Sequence, residues 1–67
     1  MFKFSDIKEG DMLIASKDGS EHKVLETERQ GDVYFFYIEN LQSKARTLFR
    51  MHEGNEDKFG LAKIIHA

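Results

Sequence analysis

Val33-Tyr34-Phe35-Phe36-Tyr37-Ile38-Glu39-Asn40 is the densest apolar and aromatic run in the chain. Such β-branched and aromatic residues suit a pleated surface, and the run is far too short to cross a bilayer. Both alternation sets are apolar, with Val33, Phe35 and Tyr37 on one side and Tyr34, Phe36 and Ile38 on the other. A strand that is apolar on both faces is central in its sheet, or bends so that each face covers something. The run is therefore predicted as the middle strand of a small sheet, with Phe35, which has an apolar residue on each side, fully buried.

Upstream of it, Gln30-Gly31-Asp32 reads as a turn and residues 21–29 as the strand that pairs with the central one. Val24 and Leu25 carry the apolar content of that strand, and the rest is polar. Lys17-Asp18-Gly19-Ser20 is the strongest turn signal in the chain, because Asp-Gly between two β-type segments suits a tight hairpin with positive φ at both central residues. Residues 12–16 (Met-Leu-Ile-Ala-Ser) precede it as a short strand. Residues 6–11 read as a solvent-facing turn around Gly10, and Phe2, Phe4 and Ile7 as an arm that closes one end of the core.

Downstream, residues 41–52 fit two patterns. As a strand, Ala45, Thr47, Phe49 and Met51 face one way and Arg46, Arg50 and His52 the other, with Leu48 alone out of pattern. As a helix, Leu41, Ala45, Leu48 and Phe49 share a face, Asn40 is the N-cap and Gly54 the stop. The strand is preferred, with residues 41–44 as the loop of a third hairpin. Residues 52–58 are polar and glycine-containing, hence a loop, and residues 61–65 form a last short strand.

The run Ile7-Lys8-Glu9-Gly10-Asp11-Met12-Leu13-Ile14, then Asp18-Gly19, then Lys23-Val24-Leu25-Glu26, resembles small SH3-like barrels of the KOW and Tudor type. The resemblance covers residues 7–51 and is what favours the strand reading of 41–52. It implies a mainly β fold, a five-stranded antiparallel SH3-like barrel, against the alternative of an α+β fold with a helix at 41–52. Such folds bind peptides, modified side chains, RNA or other proteins, and the fold alone does not choose among them.

With 67 residues the chain is a single domain, and its core supplies about 3–5 kcal/mol of net stability. There is no cysteine, which removes disulfides and thiolate metal sites and suits a reducing cytoplasm, the expected location. No stretch is apolar enough for a signal peptide or a membrane span, so no membrane partner is expected. A net charge of −2 speaks against a dedicated DNA binder, which carries a strongly basic face. The acidic residues concentrate in the first half, where Glu21, Glu26, Glu28 and Asp32 offer a negative surface to a basic partner or simply keep a strand edge solvated.

Chemistry finds little purchase. His52 and Glu53 lie near Glu56 and Asp57, but the spacing matches no metal-ligand frame, and His22, His52 and His66 read as surface histidines. Ser5, Ser16, Ser20 and Ser43 lie in turn-like contexts, where hydroxyls satisfy backbone groups, and the five glycines are isolated rather than gathered in a phosphate loop. No enzyme activity, cofactor or metal is implied.

The expectation is a non-catalytic binding or regulatory module that engages a protein partner. The alternative is RNA or single-stranded DNA binding, with Tyr34 and Phe36 stacking on bases and Lys44, Arg46 and Arg50 contacting phosphates. The competing view of Tyr34 and Phe36 is that a domain of this size needs them in its core.

Overall fold

A computed structural model describes residues 2–67. Five strands run β1 (Met12–Ala15), β2 (Glu21–Gln30), β3 (Val33–Asn40), β4 (Arg46–His52) and β5 (Leu61–Ile65). They form one antiparallel sheet in the order β4-β3-β2-β1-β5. The first four strands are a meander, and β5 returns to pair with β1. Among the described residues no ladder joins β4 to β5, so the sheet curls without closing its hydrogen bonds into a ring. No helix is long and apolar enough to cross a membrane.

The helical alternative for 41–52 is overturned. Asn40 does act as a cap, but of a turn: its Oδ1 accepts from the backbone amides of Gln42 at 2.9 Å and Ser43 at 3.1 Å. The chain reverses through Lys44 at φ 66, and the amide of Asn40 bonds the carbonyl of Ala45 to start the β3–β4 ladder. The same side-chain chemistry serves helix starts and turns, so the residue type could not separate the two. Removing the Asn40 carboxamide by Asn40→Ala is expected to cost about 1 kcal/mol, as for other Asx caps. Urea unfolding followed by far-UV circular dichroism checks it.

The β1–β2 connection also departs from expectation. Asp18 does not take positive φ, and only Gly19 does, at 70°. The connection is a four-residue loop, residues 16–19, closed by the Gly19 amide on the Ala15 carbonyl at 2.9 Å and by Ser20 N–H donating to Asp18 Oδ1 at 3.0 Å. The Asp18 carboxylate is better used on that amide than in a left-handed backbone. The β2–β3 turn is the tight one: Gln30 pairs with Val33, and Gly31 alone of the two central residues has positive φ, as a type II′ turn requires.

The core holds Phe4, Ile7, Leu13, Val24, Tyr34, Phe36 and Ile38, with Phe49, Met51, Phe59, Leu61 and Ile64 packed against it. All five strands contribute to this one cluster, which is why the sheet must bend around it. Phe4 sits at its centre, with ring centroids 5.8 Å from Tyr34, 5.7 Å from Phe36 and 5.6 Å from Phe59. The 3-10 turns Phe4–Asp6 and Glu56–Phe59 deliver Phe4 and Phe59 to this cluster, where the Phe59 ring also meets Phe49 of β4 at 5.3 Å.

Phe35 is not in the core. The buried set along β3 is Tyr34, Phe36 and Ile38, while Val33, Phe35 and Tyr37 point outward and are half-buried. The phase of β2 contributes to this. A bulge at Leu25 breaks the register between Val24, opposite Ile38, and Glu26, opposite Tyr37. The extra residue lets the adjacent Val24 and Leu25 both reach cover, and it turns Glu26 and Glu28 outward beside Tyr37 and Phe35.

Asp11 is a second correction. It read as part of a solvent-facing turn, yet only 2 % of it is exposed. Its carboxylate accepts from the Lys8 amide at 2.8 Å, the Ala67 amide at 3.1 Å and His66 Nδ1 at 2.9 Å. It thereby ties residues 66 and 67 to the start of β1.

Candidate interaction face on the outer side of the sheet

The outward side chains of β2, β3 and β4 form a regular grid, because directly paired residues of antiparallel strands share a face. One row is Glu26, Tyr37 and Leu48, and the next is Glu28, Phe35 and Arg50. Glu39 with Arg46 bounds the face at one end, and Val33 with His52 at the other. The columns thus differ in character: carboxylates on β2, apolar side chains on β3, and cations with Leu48 on β4. Among the described residues Leu48 is the most exposed large apolar one, at 63 %. The odd residue of the strand pattern is therefore the edge of an outer apolar patch. A shallow groove of about 230 Å³, lined by Glu26, Glu28, Phe35, Tyr37 and Leu48, runs along this patch.

The charges on the two flanks are largely unengaged. Arg46 bonds Glu39 at 3.1 Å, a contact that with Tyr37 raises the guanidinium pKa above its ordinary value. Among the described residues, Arg50 and Glu26 have no ion-pair partner, and Glu28 accepts only from the Gln30 carboxamide at 2.8 Å.

Tyr34 and Phe36 do not belong to this face. They are 5 % and 1 % exposed, stacked on each other at 6.1 Å in the core, and cannot receive a base. Arg29 closes the Tyr34 end, its guanidinium 4.9 Å from the ring centroid. Arg46 and Arg50 do share a face, as expected of a strand, but the aromatics they accompany are Tyr37 and Phe35. Lys44 lies apart from them, exposed in the β3–β4 turn. Of the five residues named from the sequence, the structure brings Arg46 and Arg50 to one face, leaves Lys44 in the turn, and buries Tyr34 and Phe36 on the opposite side of β3. The signal that could have chosen the other set was Leu48, an apolar residue between Arg46 and Arg50 that must share their face.

The residues read as a conceivable acid–base cluster separate into other contacts. Glu53 reaches Arg29 at 3.6 Å, and Glu56 Oε2 accepts from the Phe4 amide at 3.1 Å. Among the described residues, no three His, Asp or Glu side chains converge as a metal centre.

No family model matches the chain, and no curated protein or solved structure matches it either.

Proposed function

We propose that the chain is a non-catalytic binding or regulatory module that engages a protein partner through the outer face of β2, β3 and β4. The observation that carries this reading is the apolar stripe of Phe35, Tyr37 and Leu48 with unpaired charge of opposite sign on its two flanks. Aromatic residues and Arg are the side chains that dominate protein interfaces. The same face disfavours a nucleic acid strand. Glu26 and Glu28 stand one strand spacing, about 5 Å, from Tyr37 and Phe35 and would repel a phosphate backbone on that side, and the net charge of −2 adds no attraction. The implied fold family, small SH3-like barrels, uses its surface in the same non-catalytic way. A reducing cytoplasm is the compartment that a chain without cysteine suits.

Two measurements test the reading. In fluorescence anisotropy, labelled RNA and single-stranded DNA oligonucleotides are expected to show no binding to the protein even at low salt. In affinity capture, a protein retained by the wild-type chain is expected to be lost with Phe35→Ser plus Leu48→Ser. Micromolar oligonucleotide binding that Arg46→Glu plus Arg50→Glu abolishes would replace this reading with the nucleic-acid one.

A further inference from the structure

We infer that the partner of the outer face is a second copy of this chain, stacked sheet to sheet about a two-fold axis that runs parallel to β3; the inference rests on the reading of that face as a protein-binding surface. Its basis is the order of the columns, carboxylates then apolar residues then cations. A two-fold axis along the strand direction exchanges left and right while keeping each residue at its own level along the strand. It therefore sets Phe35 on the Phe35 of the other copy, Tyr37 on its Tyr37, and Glu28 against its Arg50 twice over. Such an isologous contact is self-complementary by construction. An axis across the strands would instead set carboxylates against carboxylates, so the charge pattern selects one of the two face-to-face arrangements. Within one chain Glu28 and Arg50 flank Phe35 from opposite sides, two strand spacings or about 10 Å apart, too far to neutralise each other. A second copy brings each an ion partner.

Unfavourable juxtapositions remain outside the Phe35 row. At the rim Lys23, opposite Glu39 on β2, would face the Arg46 of the other copy and Glu39 would sit on its own counterpart, while in the Tyr37 row Glu26 meets Leu48. The centre of the contact is accordingly the Phe35 row, with Tyr37 beside it. Three strands of at most eight paired levels span roughly 26 by 14 Å, so the two faces together bury roughly 700–800 Å², below the standard size of a stable interface. The dimer is therefore weak and reversible.

Sedimentation equilibrium of the full chain up to about 1 mM tests this with charge reversal. Glu28→Arg and Arg50→Glu each place two like-charged pairs in the contact, and each alone is expected to weaken self-association at least tenfold or so. Mixing the two variants restores opposite charge at both pairs, so a heterodimer is expected at wild-type strength or tighter. Both substitutions are on the solvent face, and circular dichroism will verify that each variant keeps its fold. A wild-type chain that stays monomeric at 1 mM, or variant chains that do not associate with each other on mixing, would overturn the two-fold dimer. The broader reading has its own readout. A monomeric wild-type chain that still captures a different protein, lost with Phe35→Ser plus Leu48→Ser, overturns the dimer and keeps the protein-binding face, whereas a monomeric chain that captures nothing removes both.

Discussion

Phe36→Ala is expected to leave most of the protein unfolded at 25 °C, whereas Phe35→Ala, one residue earlier, leaves it folded. Phe36 is 1 % exposed and packs against the rings of Phe4 at 5.7 Å, Phe59 at 5.7 Å and Tyr34 at 6.1 Å. Its truncation removes the transfer free energy of the ring and leaves a cavity that three other aromatic rings cannot fill, at a cost of about 3–5 kcal/mol. That equals the net stability of about 3–5 kcal/mol that a core of this size supplies. Phe35 lies on the outer face beside Glu28 and Arg50, and its loss costs about 1 kcal/mol or less, chiefly through strand preference. Urea unfolding of the pair, with near-UV circular dichroism as the probe of aromatic packing, decides the matter. If Phe35→Ala were the unfolded variant, the faces of β3 would be assigned the wrong way round.

The second large effect belongs to Asp11. Burial alone would push its carboxyl pKa up, but the amides of Lys8 and Ala67 and the His66 ring donate to the ionised form, and the net shift is down from 3.8. The ionised carboxylate can only accept, so His66 Nδ1 must carry the proton it shares. Asp11→Ala removes all three acceptor contacts and is expected to cost on the order of 2–3 kcal/mol, since hydrogen bonds to a charged group each contribute more than neutral ones and are not additive. The pH dependence follows from the direction of the shift. Between the lowered folded pKa and 3.8 the unfolded chain binds the proton and the folded chain does not. Stability is therefore fully present above 3.8 and is lost as pH falls through the folded value. Other carboxylates add their own acid sensitivity, so the informative quantity is the difference from Asp11→Asn. Wild type is expected to lose more stability than Asp11→Asn between neutral pH and pH of about 3, measured by urea unfolding. Equal losses in the two proteins would mean that the Asp11 contacts do not favour its ionised form.

The positions of the strands were legible in the sequence because turn chemistry is local. Gly31-Asp32, Asp18-Gly19 and the Asn40 to Lys44 run each reverse the chain through backbone conformations or side-chain caps that act within four or five residues. The strands between them are where the apolar runs predict them, and β4 occupies the strand half of the ambiguous segment. The cations of the candidate face were legible for the same reason, since Arg46 and Arg50 share a side of any strand that contains both. The SH3-like resemblance pointed to five antiparallel strands, and the sheet has five, though with its ladder open between β4 and β5.

The choice of face was not in the local pattern. Residues 33–38 are apolar on both sides, and turning the strand over exchanges Tyr34, Phe36 and Ile38 for Val33, Phe35 and Tyr37 at little difference in hydrophobicity. What separates the two sets is company. Phe4 and Phe59, both distant from Phe36 in the chain and on opposite sides of it, meet the Phe36 side, and the bulge at Leu25 aligns Glu26 and Glu28 with the other. Asp11 was hidden in the same manner, because two of its three donors come from residues 66 and 67. By itself the sequence determines where this chain turns and which segments are extended. Which side of each strand is core, and hence which aromatics remain outside, follows from contacts between residues far apart in the chain, whose energies no local window contains.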